Sequence, residues 1–225
     1  MNEKVSVIAI DGPAASGKST VANLVAKELQ IPYINTGNMY RAVTWYFLQN
    51  DVKMNGLTNL VVESLLSDFE LCYQKNDHGT FVLSVNGRIL DFEIRSPEVA
   101  EHVAIVATNA LVRKKMTELQ RYLGGQQLVV MEGRDIGSVV FPNAKYKFFI
   151  TASPLVRAQR RLNQNGETFS NATLESVAAD IATRDKIDSE REIAPLKQTE
   201  DAVLIDTSDL SIDKVVEKIT SCISM

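Results

Sequence analysis

The chain predicts an α/β fold built on a parallel sheet, and three observations carry that expectation. Short apolar runs (VSVIAI at 5–10, QLVVM at 127–131, KYKFFI at 145–150, DAVLID at 201–206) alternate with longer segments of helical periodicity. Strands buried on both faces belong to parallel sheets covered by helices. A glycine-containing turn joins the first run directly to the first helical segment. One stretch, 69–92, breaks the alternation with short extended runs and turn signals, the pattern of a small antiparallel insertion.

Taken in order, VSVIAI reads as a buried strand. A helix follows at about 18–30, where Val21, Leu24, Val25 and Leu29 recur at helical spacing. Pro32 punctuates, a brief strand YINT follows, and a second helix runs over about 38–50. FELCYQ, TFVLSV and RILDF are three short extended runs joined by NDHG (76–79) and NG (86–87). One long helix is expected over about 97–123, opened by Pro97 in its first turn and stopped before Gly124-Gly125. After the strands QLVVM and KYKFFI comes a helix from Ser153 to about Asn165. The polar loop NQNGETFSNAT separates it from a helix at about 173–191. DAVLID is the last strand, and Ser211 caps a closing helix whose apolar face carries Ile212, Val215, Val216 and Ile219.

At 225 residues and 45% apolar, the chain can bury a substantial core. A net charge of −4 argues against a broad surface for nucleic acid or anionic membrane, so any bound anion must meet a local basic cluster. Cys72 and Cys222 have no metal-site or disulfide-framework spacing, which fits reduced thiols. No segment has the length of a membrane span or a signal peptide. A soluble, cytoplasmic monomer is expected.

GPAASGKS, from Gly12 to Ser19, meets every fixed position of GxxxxGK(S/T) between a strand and a helix. In this P-loop, the amides of Gly12, Pro13, Ala14, Ala15, Ser16 and Gly17 are the candidates to surround phosphate, except that Pro13 has no N–H to give. Lys18 would bridge the outer phosphates, Ser19 would ligate Mg²⁺, and Thr20 continues the site into the helix. A nucleoside triphosphate is therefore expected at the sheet's C-terminal edge. LVVMEGRDIGSVVFP (128–142) places Glu132, Arg134 and Asp135 where another strand reaches that edge. Glu132 stands where P-loop proteins keep an acidic residue for Mg²⁺ or its waters; a surface loop with a local ion pair is the alternative. Six of the eleven arginines, at 134, 157, 160, 161, 184 and 191, fall in the second half. Guanidinium donors match phosphate oxygens two at a time. Arg157, Arg160 and Arg161 share one helical face. Asp180, Arg184, Asp188 and Arg191 share another, a pattern equally compatible with a salt-bridged surface helix.

A P-loop alone does not choose between a switch GTPase, a motor and a small-molecule kinase. The guanine-reading NKxD string is absent, while TGNMYR (36–41) offers a hydroxyl, a glycine and an arginine for a second anion. Here IAIDGPAASGKST, NTGNMYRA, EGRDIGSVVFP, RDKIDSEREIAPL and DAVLIDTSDLSIDKVVEKI, in that order over residues 8–219, together resemble the bacterial-type cytidylate kinases. The resemblance implies a single P-loop kinase domain over 1–225 with a five-stranded parallel core. It also implies a monophosphate-binding subdomain at about 36–123 carrying the small antiparallel sheet, and a mobile lid at about 157–192. The activity implied is Mg²⁺-dependent transfer from ATP to CMP and dCMP, with no nucleic-acid or membrane partner.

By motif position, Lys18, Arg134, Arg184 and Arg191 would be catalytic, and Arg157 and Arg161 would join the ATP site. Thr36, Gly37, Arg41, Arg113, Glu132, Arg134, Asp135 and Asp188 would serve CMP. Of these, Arg113 and Asp188 would face the base and Asp135 the sugar; Glu132 would act on Mg²⁺ through water. The chain departs from the family at four places: Glu132 replaces the usual Asp, Asn35 precedes the Thr-Gly pair where Asp is usual, Asn38 follows Gly37 where Ala is usual, and Ala104 aligns with a serine that reads the base in several members. Transfer would be in line, without a covalent intermediate, since the acceptor phosphate is already anionic. Lid closure would exclude water, and the loop at 163–172 would form part of that lid. UMP or a phosphate-free alcohol as acceptor, or a nucleotide-driven regulatory switch, are the alternatives.

Overall fold

The computed structural model describes residues 7–52, 54, 57–75, 81–164, 168 and 170–224. The NDHG turn expected at 76–79 and part of the polar loop at 163–172 lie outside the described residues. In chain order the elements are β1 (Val7–Asp11), α1 (Lys18–Glu28), β2 (Tyr33–Asn35), α2 (Thr36–Gln49), α3 (Asn59–Ser67), β3 (Leu71–Lys75), β4 (Phe81–Val85) and β5 (Arg88–Leu90). They continue as α4 (Pro97–Val106), α5 (Ala110–Gln126), β6 (Val129–Gly133), β7 (Tyr146–Thr151), α6 (Pro154–Leu162), α7 (Leu174–Glu190), β8 (Val203–Asp206) and α8 (Ile212–Ser221). The chain divides into two compact units, one of residues 1–36, 118–163 and 173–225, the other of residues 37–117 and 164–172.

The first unit is built on a five-stranded sheet, order β2-β6-β1-β7-β8, with every pairing parallel. This is the sheet the apolar runs predicted. All five residues of β1 and of β6 are buried, which explains why these strands lack alternation. Ile8, Ile10, Val130, Phe148, Ile150 and Ile205 of the sheet pack with Val21, Ala22, Val25 and Ala26 of α1 and Val215, Val216 and Ile219 of α8. Each larger side chain there contributes about 1.5–3 kcal/mol by leaving water. Ser211 caps α8 as expected, accepting from the Lys214 amide at 3.4 Å, and Ser153 and Thr173 cap α6 and α7 in the same way.

The second unit contains the antiparallel sheet β3-β4-β5 read from residues 69–92. Its NG turn is a two-residue hairpin with both residues at positive φ, Asn86 at 49° and Gly87 at 79°. The Asn86 side chain accepts from the Glu70 amide at 2.8 Å and donates to the Asp68 carbonyl at 2.7 Å.

Three elements differ from expectation. The helix α3 was not foreseen; Thr58 caps it, and Val62 and Leu66 are its buried contacts. The single helix expected over 97–123 is two, because the Asn109 carboxamide accepts from the amides of Leu111 and Val112 at 3.0 and 3.2 Å and starts α5 anew. Gly124 and Gly125 do not stop α5, which runs on to Gln126. A Cβ at Gly124 would lie 2.5 Å from Phe141 Cζ and 2.8 Å from Val7 Cγ2, so this glycine allows a close approach rather than ending the helix.

Candidate active site

The loop between β1 and α1 is shaped by its glycines. Gly12 sits at φ 151°, where a Cβ would fall 2.0 Å from the Ile150 carbonyl oxygen, so no larger residue fits. Gly17 at φ 95° precedes α1, and no side chain caps that helix. Its first N–H groups therefore face whatever anion the loop surrounds. The Lys18 ammonium is buried and donates to the Pro13 carbonyl at 2.6 Å and the Ser16 hydroxyl at 3.4 Å. Ser19 and Thr20 are exposed at the start of α1.

Side chains from distant segments hold the back of this loop. The Ser16 carbonyl accepts from the Thr207 hydroxyl at 3.1 Å and from Arg160 at 3.2 Å. The Ala14 amide donates to Asp185 at 3.2 Å, while the Ala14 carbonyl accepts from Arg157 at 3.1 Å. Arg157 and Asp185 also pair with each other. Ala14 thus has both of its main-chain polar groups met by one ion pair from α6 and α7. Arg161 lies half-buried on α6.

Beside the loop, β6 ends differently from expectation: Glu132 and Gly133 belong to the strand rather than following it. Gly133 admits the Thr36 hydroxyl, which a Cβ would meet at 2.6 Å and which donates to the Glu132 carbonyl at 2.7 Å. A π turn over Ile136–Val140 follows. Asp11, at the end of β1, accepts from the amides of Ile136 at 2.9 Å and Gly137 at 2.7 Å and so pins the turn next to Arg134 and Asp135. Burial pushes the Asp11 carboxyl up to about 6, against the pull of those two amides.

Arginines and carboxylates alternate here. Arg134 donates to Asp188 at 2.8 Å; Arg191 lies 3.6 Å from the other Asp188 oxygen and 3.4 Å from Asp135. Arg191 lies just past the last turn of α7 yet still meets Asp188, as the i,i+3 spacing expects. It caps α7 with extended backbone and donates to the Ala194 carbonyl at 2.7 Å. Asp180, expected on that face, is exposed. Burial would raise the Asp188 carboxyl, but Arg134, Arg184 and Arg191 outweigh it and hold it below the usual range. Burial, with the positive charges of Arg134 and Arg184, pushes the Lys18 ammonium well below its ordinary range, despite the opposing charge of Glu132. An arriving polyphosphate would restore it.

Arg41 and Arg113 belong to the second unit. Arg41 donates to the Ile94 carbonyl at 3.1 Å; Arg113 donates to the Ala107 carbonyl at 3.1 Å and lies 5.6 Å from the Tyr40 ring centre. Gly37 and Ala104 are in the same unit. Sequence reading missed Asp11, Tyr33, Asp185 and Thr207, and left Arg160 unassigned although it shares a helical face with Arg157. Local spacing contains no signal for partners that lie tens to hundreds of residues apart.

Sheet, loop and charge cluster are together those of a P-loop kinase. Among solved structures, the fold is similar to shikimate kinase from Bacteroides thetaiotaomicron (TM-score 0.50, 12% identity, 96% of this chain and 97% of the other). It is also similar to an uncharacterized protein from Eubacterium ventriosum (TM-score 0.53, 13% identity, 98% of each chain). A sequence model of the cytidylate kinase family matches residues 8–225. Cytidylate kinase of Clostridium botulinum strain Loch Maree is 44% identical over 216 residues, 96% of either chain. That of Bacillus cereus strain ATCC 10987 is 44% identical over 224 residues, 100% of this chain and 98% of the relative. The chain belongs to the cytidylate kinase family.

Proposed function

We propose that the chain transfers the γ-phosphoryl group of ATP directly to CMP and dCMP, with Mg²⁺ on the triphosphate. Phosphorylation of cytidylate by ATP is the activity its family membership carries. The observation that supports this reading of the site is the alternating row Asp135, Arg191, Asp188, Arg134 beside Lys18. Guanidinium groups held rigid by carboxylates are oriented before the substrates arrive, and such preorganisation lowers the cost of gathering phosphate charge.

Residues 12–20, with Arg157 and Arg161, are assigned to ATP. Thr36, Gly37, Glu132, Arg134, Asp135 and Asp188 are assigned to the acceptor; family resemblance alone supports adding Arg41 and Arg113. Lys18, Arg134, Arg184 and Arg191 are assigned to the transferring group. The segment about 36–123 is read as the acceptor subdomain and about 157–192 as the lid. Among the described residues no cluster of three or more His, Cys, Asp or Glu could hold a metal. The Ser19 hydroxyl and, through water, the Glu132 carboxylate are hard oxygen donors of the kind Mg²⁺ takes, and they would be the protein's share of an ion bound chiefly by phosphates and water. Mg²⁺ would neutralise phosphate charge there. No helix among the described residues is long and apolar enough to cross a membrane, and Cys72 and Cys222 are exposed free thiols. A monomer working in the cytoplasm is part of the proposal.

The test follows the label of γ-³²P-ATP. Wild-type protein should move it into CDP, and Lys18→Ala should cut the rate about a hundredfold or more. Transfer at a near-normal rate in that variant would overturn the assignment.

A further inference from the structure

Glu132 is one of five buried residues of β6, yet its carboxylate is held by a neighbour that no motif marks. In the parallel pairing of β2 with β6, Asn35 lies opposite Glu132 and Tyr33 opposite Val130. Tyr33 and Asn35 are two residues apart on one strand, so they share a face of the sheet. The Tyr33 hydroxyl donates to Glu132 Oε1 at 2.8 Å and accepts from Asn35 Nδ2 at 3.1 Å. The Tyr33 ring meanwhile packs against the apolar core of the first unit. Ring and hydroxyl thus do separate jobs, one in packing and one in aiming a carboxylate.

We propose that Tyr33 is a positioning residue for Glu132: its hydroxyl, oriented by Asn35, fixes Oε1 and thereby directs Oε2 at the substrate or its bound water. The physical need is plain. A glutamate carboxylate swings on three side-chain torsions, and a carboxylate that works at a substrate must stop swinging. Two points tether it, the backbone of β6 through the Thr36 hydroxyl on the Glu132 carbonyl, and Oε1 through Tyr33. This inference rests on the assignment of Glu132 to the site made above.

The test is a double-mutant cycle with Tyr33→Phe and Glu132→Gln, read by kcat and KM for CMP, with thermal unfolding alongside. Tyr33→Phe keeps the packed ring but leaves Oε1 without this donor, so its unfolding midpoint should fall by about 2–8 °C, with the fold intact at assay temperature. It should shift the same kinetic parameter that Glu132→Gln shifts, by about tenfold, and should cost nothing more in the Glu132→Gln background. A second readout needs no turnover: in nucleotide-free protein the Tyr33 hydroxyl proton should resonate downfield in ¹H NMR spectra at low temperature and move upfield in Glu132→Gln. Wild-type kinetics in Tyr33→Phe, losses that add in the double variant, or a hydroxyl resonance indifferent to Glu132→Gln would overturn the proposal. Failure of wild-type protein to phosphorylate CMP would instead count against the assigned function, and the NMR signature would still decide the role of Tyr33.

Discussion

Asp11 and Asp188 are both buried carboxylates of the first unit, and the fold treats them in opposite ways. Asp11 keeps its proton up to about pH 6 in the native protein but releases it near 3.8 when unfolded. The native state therefore binds more protons between those values, and this group's contribution to stability falls as pH rises through them, by about 3 kcal/mol in all. Urea unfolding of wild type and Asp11→Asn at pH 4 and pH 7 checks this: wild type should lose stability relative to the variant on going to pH 7. Asp188 is shifted the other way by Arg134, Arg184 and Arg191, so its contribution is present above 3.8 and is lost as pH falls through its lower native value. Replacing Asp188 with Ala leaves Arg134 and Arg191 without a shared buried anion, and a loss of about 3 kcal/mol or more at pH 7 is expected by the same assay. The spacing of Arg184, Asp188 and Arg191 was legible in sequence, but the Arg134 partner of Asp188 and the whole environment of Asp11 were not. Asp11 closes an ordinary apolar strand, and the amides it serves lie 125 and 126 residues further on.

At the scale of elements, Gly124 and Gly125 make a controlled pair within α5. Both cost helix propensity, about 1 kcal/mol each relative to Ala. Gly125 has open space where a Cβ would go, whereas Gly124 faces Phe141 and Val7. Gly125→Ala should therefore stabilise by about 0.5–1 kcal/mol and Gly124→Ala should destabilise by about 1–3 kcal/mol, both read from urea unfolding. The pair also shows why α5 was read short: local propensity says stop, while tertiary packing says continue. Elsewhere local chemistry sufficed. The apolar β1 and β6, the NG hairpin, the helix start at Ser153 and the cap at Ser211 were legible because each rests on residues a few positions apart. The break before α5 was missed because Asn109 is capable of capping but sits in a sequence of otherwise helical spacing.

For the whole molecule, the loop from Gly12 to Ser19 could be read from sequence, and so could the parallel sheet that presents it. Hidden from sequence was the support behind the loop: Thr207 and Arg160 on the Ser16 carbonyl, and Arg157 with Asp185 on Ala14. These contacts join residues 143 to 191 positions apart, which only the folded chain can bring together. Metal removal tests the same division between protein and substrate. With Mg²⁺ carried by the nucleotide, as proposed, EDTA should abolish turnover yet leave the unfolding midpoint of nucleotide-free protein unchanged. The most direct measurement is ADP release from Mg²⁺-ATP with CMP, dCMP, UMP, AMP and no acceptor run in parallel. The account expects strong stimulation by CMP and dCMP above the others. Slow hydrolysis at one rate across the whole panel would contradict it.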